Sequence, residues 1–308
     1  MKVKQTGGAR KIWRLFTLVY SYTMQTPSLP PCSGRKMTNR NGILLHSPLT
    51  HAIASVRFAP WANLPNKIAE IQDELRDIAP LLNAVQIQTD PSLPGHHSPA
   101  GGSPISQAWL LMASDKSFCI QFASDQLLMF ATKYTRYSDF SSTYKRALTV
   151  LLKHMRFVDV INMGVRYVDK ITAKPDEQIS DYISDKWLSP ALSGYDRAGG
   201  TVFGEYSKDT TRLRVTAQSL PNALPVPNDI LGMLLMSQGL GTEIQFQATT
   251  DKDLILDMDS VTAFSPPRRM EAEMVSINLD RLHSIANDFF RNSDAITDHA
   301  FSVWQGEN

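Results

Sequence analysis

Short runs of alternating apolar and polar residues and two longer apolar stripes mark the first half of the chain. The alternation over residues 49–58 predicts a strand, and apolar residues spaced four and three apart from Leu64 to Ile78 predict a helix with Asn63 as its candidate cap. Four further strands are expected over residues 84–88, 109–113, 118–122 and 127–134, and a second helix over residues 138–155.

The pattern in the second half of the chain follows a similar order. Residues 160–171 predict a strand, residues 176–188 a helical segment, and residues 230–236 either a short helix or an apolar loop. Asp294 is a candidate cap for a final helix. Strands are expected over residues 201–206, 213–217, 242–248 and 254–261, and a long amphipathic helix over residues 279–289.

Two sequence echoes suggest that the order of elements repeats because the chain is duplicated. Residues 55–58 read Ser-Val-Arg-Phe, and residues 164–167 read Gly-Val-Arg-Tyr. Residues 120–122 and 244–246 both read Ile-Gln-Phe. Internal duplication is therefore predicted, with coincidence between two generic halves as the alternative.

These patterns predict an α+β fold with two similar halves. Each half is expected to run strand, helix, antiparallel strands, helix, with the helices packed on one face of an antiparallel sheet. The first half comprises residues 37–157 and the second residues 158–308, and we expect the two to pack as one unit.

Charge is distributed unevenly along the 308 residues. The chain has 31 Lys and Arg against 30 Asp and Glu, but residues 1–36 contain seven basic and no acidic residues, so the remainder carries a net charge of −6. We expect Met37 to be the true start, with residues 1–36 a disordered or mis-assigned extension. A membrane-surface or targeting segment and a structured extension are the alternatives.

Composition narrows the class of protein. Hydrophobic residues make up 43% of the chain and charged residues 20%, as in ordinary globular proteins. Two cysteines, Cys32 and Cys119, do not support a disulfide framework, so a reducing, cytoplasmic location is expected. The acidic body makes nucleic acid an unlikely partner, and no membrane partner is expected.

Motifs for catalysis and for cofactor binding are missing from the sequence. It contains no Gly-rich phosphate loop, no zinc spacing and no Gly-x-Ser-x-Gly elbow. The pair at residues 96–97, both His, and the strand carboxylates Asp253, Asp257 and Asp259 are weak metal candidates, interpreted as solvent-exposed. Cys119 is interpreted as a strand thiol. No catalytic residue, metal or cofactor is predicted.

Arg57 and Arg166 occupy equivalent places in the first predicted strand of each half. Apolar neighbours on both sides indicate that each arginine points away from the helix-covered face, where it needs a carboxylate partner such as Asp169 or Glu243. The structural interpretation is an ion-paired or exposed strand arginine. The functional interpretation is that both halves present an arginine to an anionic ligand or an acidic partner.

Several stretches carry a family resemblance. They are the Ser-Pro-Leu opening at 47–49, the strands at 54–58 and 163–171, and the closing Leu282-His283 and Trp304. Over residues 47–304 the chain resembles a sporadically distributed bacterial family of uncharacterised proteins. Asp169 and Lys170 depart from it, because the family more often has Asn and Arg there.

The resemblance implies an accessory role and carries over no activity, catalytic residue or ligand. Our leading hypothesis is a cytoplasmic binding or regulatory protein that acts with a protein partner, its oligomeric state left open. One alternative is a component of a defence or toxin–antitoxin module that binds or acts on nucleic acid, and another is a small-ligand binder with a cavity between sheet and helices. The candidate binding residues are Arg57, Arg166, Tyr167, Asp169 and His283.

Overall fold

Nine antiparallel strands form one continuous sheet in a computed structural model that describes residues 40, 42–88, 105–238 and 246–306. The strands are β1 (Leu49–Phe58), β2 (Leu81–Gln88), β3 (Ile105–Met112), β4 (Phe118–Ala123), β5 (Gln126–Ala131), β6 (Val158–Thr172), β7 (Gly200–Lys208), β8 (Thr211–Ser219) and β9 (Asp253–Met270). The helices are α1 (Leu64–Leu75), α2 (Tyr137–Met155), α3 (Asn228–Gln238), α4 (Ala272–Phe290) and α5 (Asp298–Gln305).

The strand order is β2-β3-β4-β5-β1-β6-β9-β8-β7. The first strands of the two predicted halves therefore lie side by side at the centre, where Ser55 of β1 is paired with Gly164 of β6. The α+β class is confirmed. The predictions for residues 1–36, 96–97 and 243 lie outside the described residues.

One face of the sheet carries the main core. Side chains alternate along β6, so that Met163, Val165 and Tyr167 point to this face and are buried. Helices α1, α2 and α4 bury their apolar faces in the same core. The buried helix residues include Leu64, Ile71, Leu75, Tyr144, Leu148, Leu151, Leu279, Leu282 and Ala286.

The opposite face is also covered, which corrects the expectation that the helices share one face. Helix α3 buries Ile230 and Leu234 against Ile53, Val168 and Ile255 in the centre of that face. Alternation places these strand residues away from the main core, and their apolar side chains require a second cover. The open choice for residues 230–236 is thereby settled as a helix.

The helical segment predicted over residues 176–188 is wrong. The chain forms only two short 3-10 turns, Ile179–Asp181 and Asp185–Trp187. Between them it pairs with a distant segment: the Ser184 N–H donates to Ala295 and the Thr297 N–H to Tyr182. These tertiary hydrogen bonds replace the local ones that a helix would make.

One smaller prediction is wrong, and another lies mostly outside the described residues. Helix α5 is capped by Thr297, whose hydroxyl accepts from the Ala300 N–H at 3.1 Å, and not by Asp294. The strand predicted over residues 242–248 lies partly outside the described residues, and residues 246–248 form no strand. No helix in the described part of the chain is long and apolar enough to cross a membrane.

Candidate functional site

Arg57 is held by an ion pair at the end of β1. Its Nη2 donates to Oδ2 of Asp125 at 2.8 Å, and both side chains are largely buried. Asp125 lies in the turn that connects β4 to β5, next to β1 in the sheet. The pairing supports the structural interpretation of this arginine.

Arg166 forms a larger ion-pair group on the α3 side of the sheet. Its guanidinium donates to both carboxylate oxygens of Asp257, at 2.8 and 2.7 Å, and also contacts Asp229 at the start of α3. Asp169 is not its partner, because residues three apart on a strand face opposite ways. The other predicted partner, Glu243, lies outside the described residues.

The two arginines do not form a matched anion site. Arg166 is paired across the sheet with Ile53, four residues along β1 from Arg57. Each guanidinium also has its own carboxylate.

The strand carboxylates of β9 are not solvent-exposed, which corrects their interpretation: Asp253 is buried and Asp257 and Asp259 are half-buried, while Cys119 is a buried thiol in β4. Asp257 binds Arg166, and Asp253 accepts from Thr172 at 2.6 Å. Among the described residues no group of three His, Cys, Asp or Glu side chains could hold a metal ion. Burial raises the pKa of Cys119 to about 12, so this thiol stays protonated.

A cavity of about 270 Å³ opens on the main-core face, between the sheet and α4. Its floor is formed by β6 and β9, one wall by α4, and the others by residues 42–49 and 134–137. The residues that matter for its chemistry are Tyr134, Tyr137, Tyr167, Asp169, His283 and Arg291.

Tyr167 and His283 join the floor of the cavity to its helical wall. The Tyr167 hydroxyl oxygen lies 2.7 Å from Nδ1 of His283. The imidazole ring stacks on Tyr137, with 3.6 Å between ring centroids, and the Tyr137 hydroxyl donates to Asp280 at 2.8 Å. Burial lowers the pKa of His283 to about 4, so the ring is neutral at pH 7.

Tyr134 is the third tyrosine that lines the cavity. Its ring meets Tyr167 edge-to-face, with centroids 6.1 Å apart. Burial raises the pKa of Tyr134, Tyr137 and Tyr167, so all three hydroxyls stay protonated. Three tyrosines with neutral hydroxyl groups therefore line the cavity.

Asp169 is the most unusual group in the cavity. Its residue is only 2% exposed, and its carboxyl group makes no hydrogen bond with any described residue. Burial, with the nearby charge of Asp257, raises the pKa of Asp169 to about 8. The acid is therefore mostly protonated at pH 7.

Arg291 lies at the C-terminal end of α4. Its Nε donates to Oδ1 of Asn287 at 3.0 Å and its Nη2 to the carbonyl of Gly42 at 2.9 Å. Nη1 is buried without an acceptor, and no described carboxylate lies within ion-pair distance. The guanidinium is thus held by neutral acceptors, with its Cζ 6.0 Å from the centroid of the Phe301 ring, and no carboxylate in the described part of the chain pairs with its charge.

A second, larger hollow of about 510 Å³ lies beside β7. Its charged groups already satisfy one another: Lys186 pairs with Asp294 at 3.1 Å and Lys208 with Asp288 at 3.3 Å. The smaller cavity therefore has the stronger chemical signature of a binding site.

The structure brings together Tyr167, Asp169 and His283 of the five predicted residues and places Arg57 and Arg166 on the other face. No protein-family model and no curated protein matches the chain. The sequence reasoning missed Arg291 as a site residue and gave no role to Tyr134 or Tyr137. An arginine at the end of an amphipathic helix is usually exposed to solvent, so the sequence around Arg291 gave no indication that it lines a cavity.

Proposed function

We propose that the protein binds a small organic molecule in the cavity between the sheet and α4. The unpartnered Asp169 carboxyl group carries this proposal. A buried polar group without a hydrogen bond costs on the order of 1–3 kcal/mol, and a bound ligand would remove that cost.

The rest of the cavity suits a small ligand. A volume of about 270 Å³ corresponds to roughly nine water molecules at about 30 Å³ each. Leu44, Met258 and Phe290 offer apolar surface, while Tyr167 and His283 offer fixed polar atoms. Apolar walls with a few convergent polar groups are typical of sites for small molecules.

Ligand-observed saturation-transfer NMR with the full chain tests the proposal. The probes are a panel of small aromatic acids, amines, zwitterions and phenols. The variant Asn287→Trp adds bulk to the cavity wall, and Ile277→Trp adds the same side chain on the exposed side of α4. We expect signals that survive in Ile277→Trp and vanish in Asn287→Trp. A panel with no signal, or signals equal in both folded variants, would overturn the proposal.

A protein partner is the second candidate, and the edge of the sheet favours it. Within the described ranges, strand β7 is the last strand of the sheet and pairs with β8 alone. Phe203 and Tyr206 on β7 are 62% and 49% exposed. Edge strands with exposed apolar residues can pair with a strand from another chain. If a partner adds a strand here, its binding should slow amide exchange in β7, and Phe203→Lys should weaken that protection.

We also propose that the fold arose by duplication, as the first echo suggests. Ser55 and Gly164, at equivalent places in that echo, are paired across the centre of the sheet. The second echo is not tested, because residues 244 and 245 lie outside the described residues. An alignment of relatives that preserves the 55–58 and 164–167 match would support duplication, and its loss would contradict it.

A further inference from the structure

We infer that the ligand is a small zwitterion with an apolar body, whose ammonium group binds Asp169 and whose carboxylate binds Arg291. This inference rests on the proposed function, since it names the class of molecule that the cavity between sheet and α4 takes.

Asp169 differs from the other buried carboxyl groups. Asp125 and Asp253 are the remaining buried acids in the described part of the chain. Asp125 binds Arg57, and Asp253 accepts from Thr172. Asp169 alone of these three has no donor, although it lines a cavity with room for one.

The surroundings of Asp169 favour a cation over a neutral donor. The rings of Tyr134, Tyr137 and Tyr167 line the same cavity. Aromatic faces attract an ammonium group electrostatically when the group lies over the ring. A buried carboxylate beside several tyrosine rings is therefore suited to a primary ammonium group, which can donate up to three hydrogen bonds.

Arg291 differs from other arginines in the same way. Within the described ranges, three more arginines have no carboxylate partner, and all three are exposed to water: Arg76, Arg156 and Arg268. Arg291 is half-buried and has one buried nitrogen without an acceptor. Its planar guanidinium is suited to a carboxylate.

Arg291 is positive and Asp169 is negative once its carboxyl group ionises; both line the same cavity, yet they do not pair with each other. A ligand with a single charge would satisfy one group and leave the other unpaired. A zwitterion satisfies both, and its apolar body can contact Leu44, Met258 and Phe290.

Isothermal titration calorimetry of the full chain at pH 7.5 tests the inference with two sets of probes. In the first set, L-phenylalanine carries both charges, phenethylamine only the cation and 3-phenylpropanoate only the anion. In the second, 4-(aminomethyl)benzoate, benzylamine and 4-methylbenzoate provide a longer separation between the charges. We expect one of the zwitterions to bind at least tenfold more tightly than both of its single-charge analogues.

Two variants assign the ends of the ligand. Asp169→Asn should weaken the zwitterion at least tenfold and leave the anion-only probe unchanged, whereas Arg291→Gln should weaken the zwitterion and leave the cation-only probe unchanged. Arg76→Gln, at an exposed arginine, is the matched control and should change nothing.

The alternative outcomes are decisive. A single-charge probe that binds as tightly as its zwitterion overturns the inference while binding in the cavity still stands. If neither zwitterion binds but the NMR panel gives signals that Asn287→Trp abolishes, the inference is likewise overturned and binding in the cavity still stands. If that panel is also silent, the proposed function fails together with the inference.

Discussion

The hydroxyl oxygen of Tyr167, in β6, lies 2.7 Å from Nδ1 of His283, in α4. This contact links the floor of the cavity to its helical wall and fixes both side chains. Two residues along the same face of β6, the buried Oδ2 of Asp169 has no hydrogen-bond partner among the described residues. The contrast between a satisfied Tyr167 and an unsatisfied Asp169 singles out the carboxyl group as the ligand contact.

The Tyr167–His283 bond should be measurable as a coupling in stability. In a double-mutant cycle with Tyr167→Phe and His283→Phe, we expect a coupling of about 1 kcal/mol in the free energy of unfolding. The hydroxyl of Tyr144 bonds the carbonyl of Leu127 instead. A cycle that pairs Tyr144→Phe with His283→Phe should therefore be additive, and equal couplings in the two cycles would contradict the account.

Asp169 should make stability depend on pH. Its folded-state pKa of about 8 lies above the ordinary 3.8, so its contribution is greatest below pH 4 and is lost as the pH rises toward 8. The lowered pKa values of His51 and His283 act in the opposite sense, because both side chains are partly protonated in the unfolded chain near their ordinary 6.5. Denaturation should therefore show the free energy of unfolding falling by about 1 kcal/mol between pH 6.5 and 8.

The controls for that pH dependence use buried Asp169 and half-buried Asp259. Asp169→Asn should abolish the fall between pH 6.5 and 8. Burial raises the pKa of Asp259, on the other face of the sheet, to about 6, so Asp259→Asn should retain the fall. A wild-type protein whose stability is flat in this range would show that Asp169 titrates normally.

The two partners of Arg166 should differ in their effect on stability. Asp257 has 14% of its side chain exposed, whereas Asp229 has 63%. Asp257→Asn weakens a largely buried ion pair and should cost about 2 kcal/mol, while Asp229→Asn should cost less than about 1 kcal/mol. Urea denaturation of both variants checks this, and equal costs would contradict the burial that the structure assigns.

Helix α5 offers a direct test of a corrected cap. Thr297→Ala removes the hydroxyl that accepts from Ala300 and should cost about 1 kcal/mol in the free energy of unfolding. Asp294→Ala should change stability by less than about 0.5 kcal/mol, since Asp294 makes only an exposed pair with Lys186. A larger loss of stability from Asp294→Ala than from Thr297→Ala would show that Asp294 caps the helix, as the sequence predicted.

Local patterns predicted most of the fold. The strand over residues 49–58 has the predicted bounds, and α1 and α2 begin within one residue of the expected positions. These elements follow from side-chain periodicity, which is visible in a short window. Residues 176–188 failed because their backbone pairs with residues 295–297, more than a hundred positions away.

The site was only partly predictable for the same reason. Tyr167 and Asp169 share a face because they lie two apart on a strand, which a sequence shows directly. The approach of His283 and Arg291 to them depends on how α4 crosses the sheet. The partners of Arg166 are likewise 91 and 63 residues away, so no local pattern could identify them.

A carbon-13 NMR titration of the Asp169 carboxyl group, without and with a saturating zwitterion, tests the central claim most directly. The account predicts a pKa of about 8 for Asp169 in the ligand-free protein and a fall of more than one pH unit when the bound ammonium group stabilises the carboxylate. A ligand-free pKa near the ordinary 3.8, or a raised pKa that the bound zwitterion leaves unchanged, would contradict it.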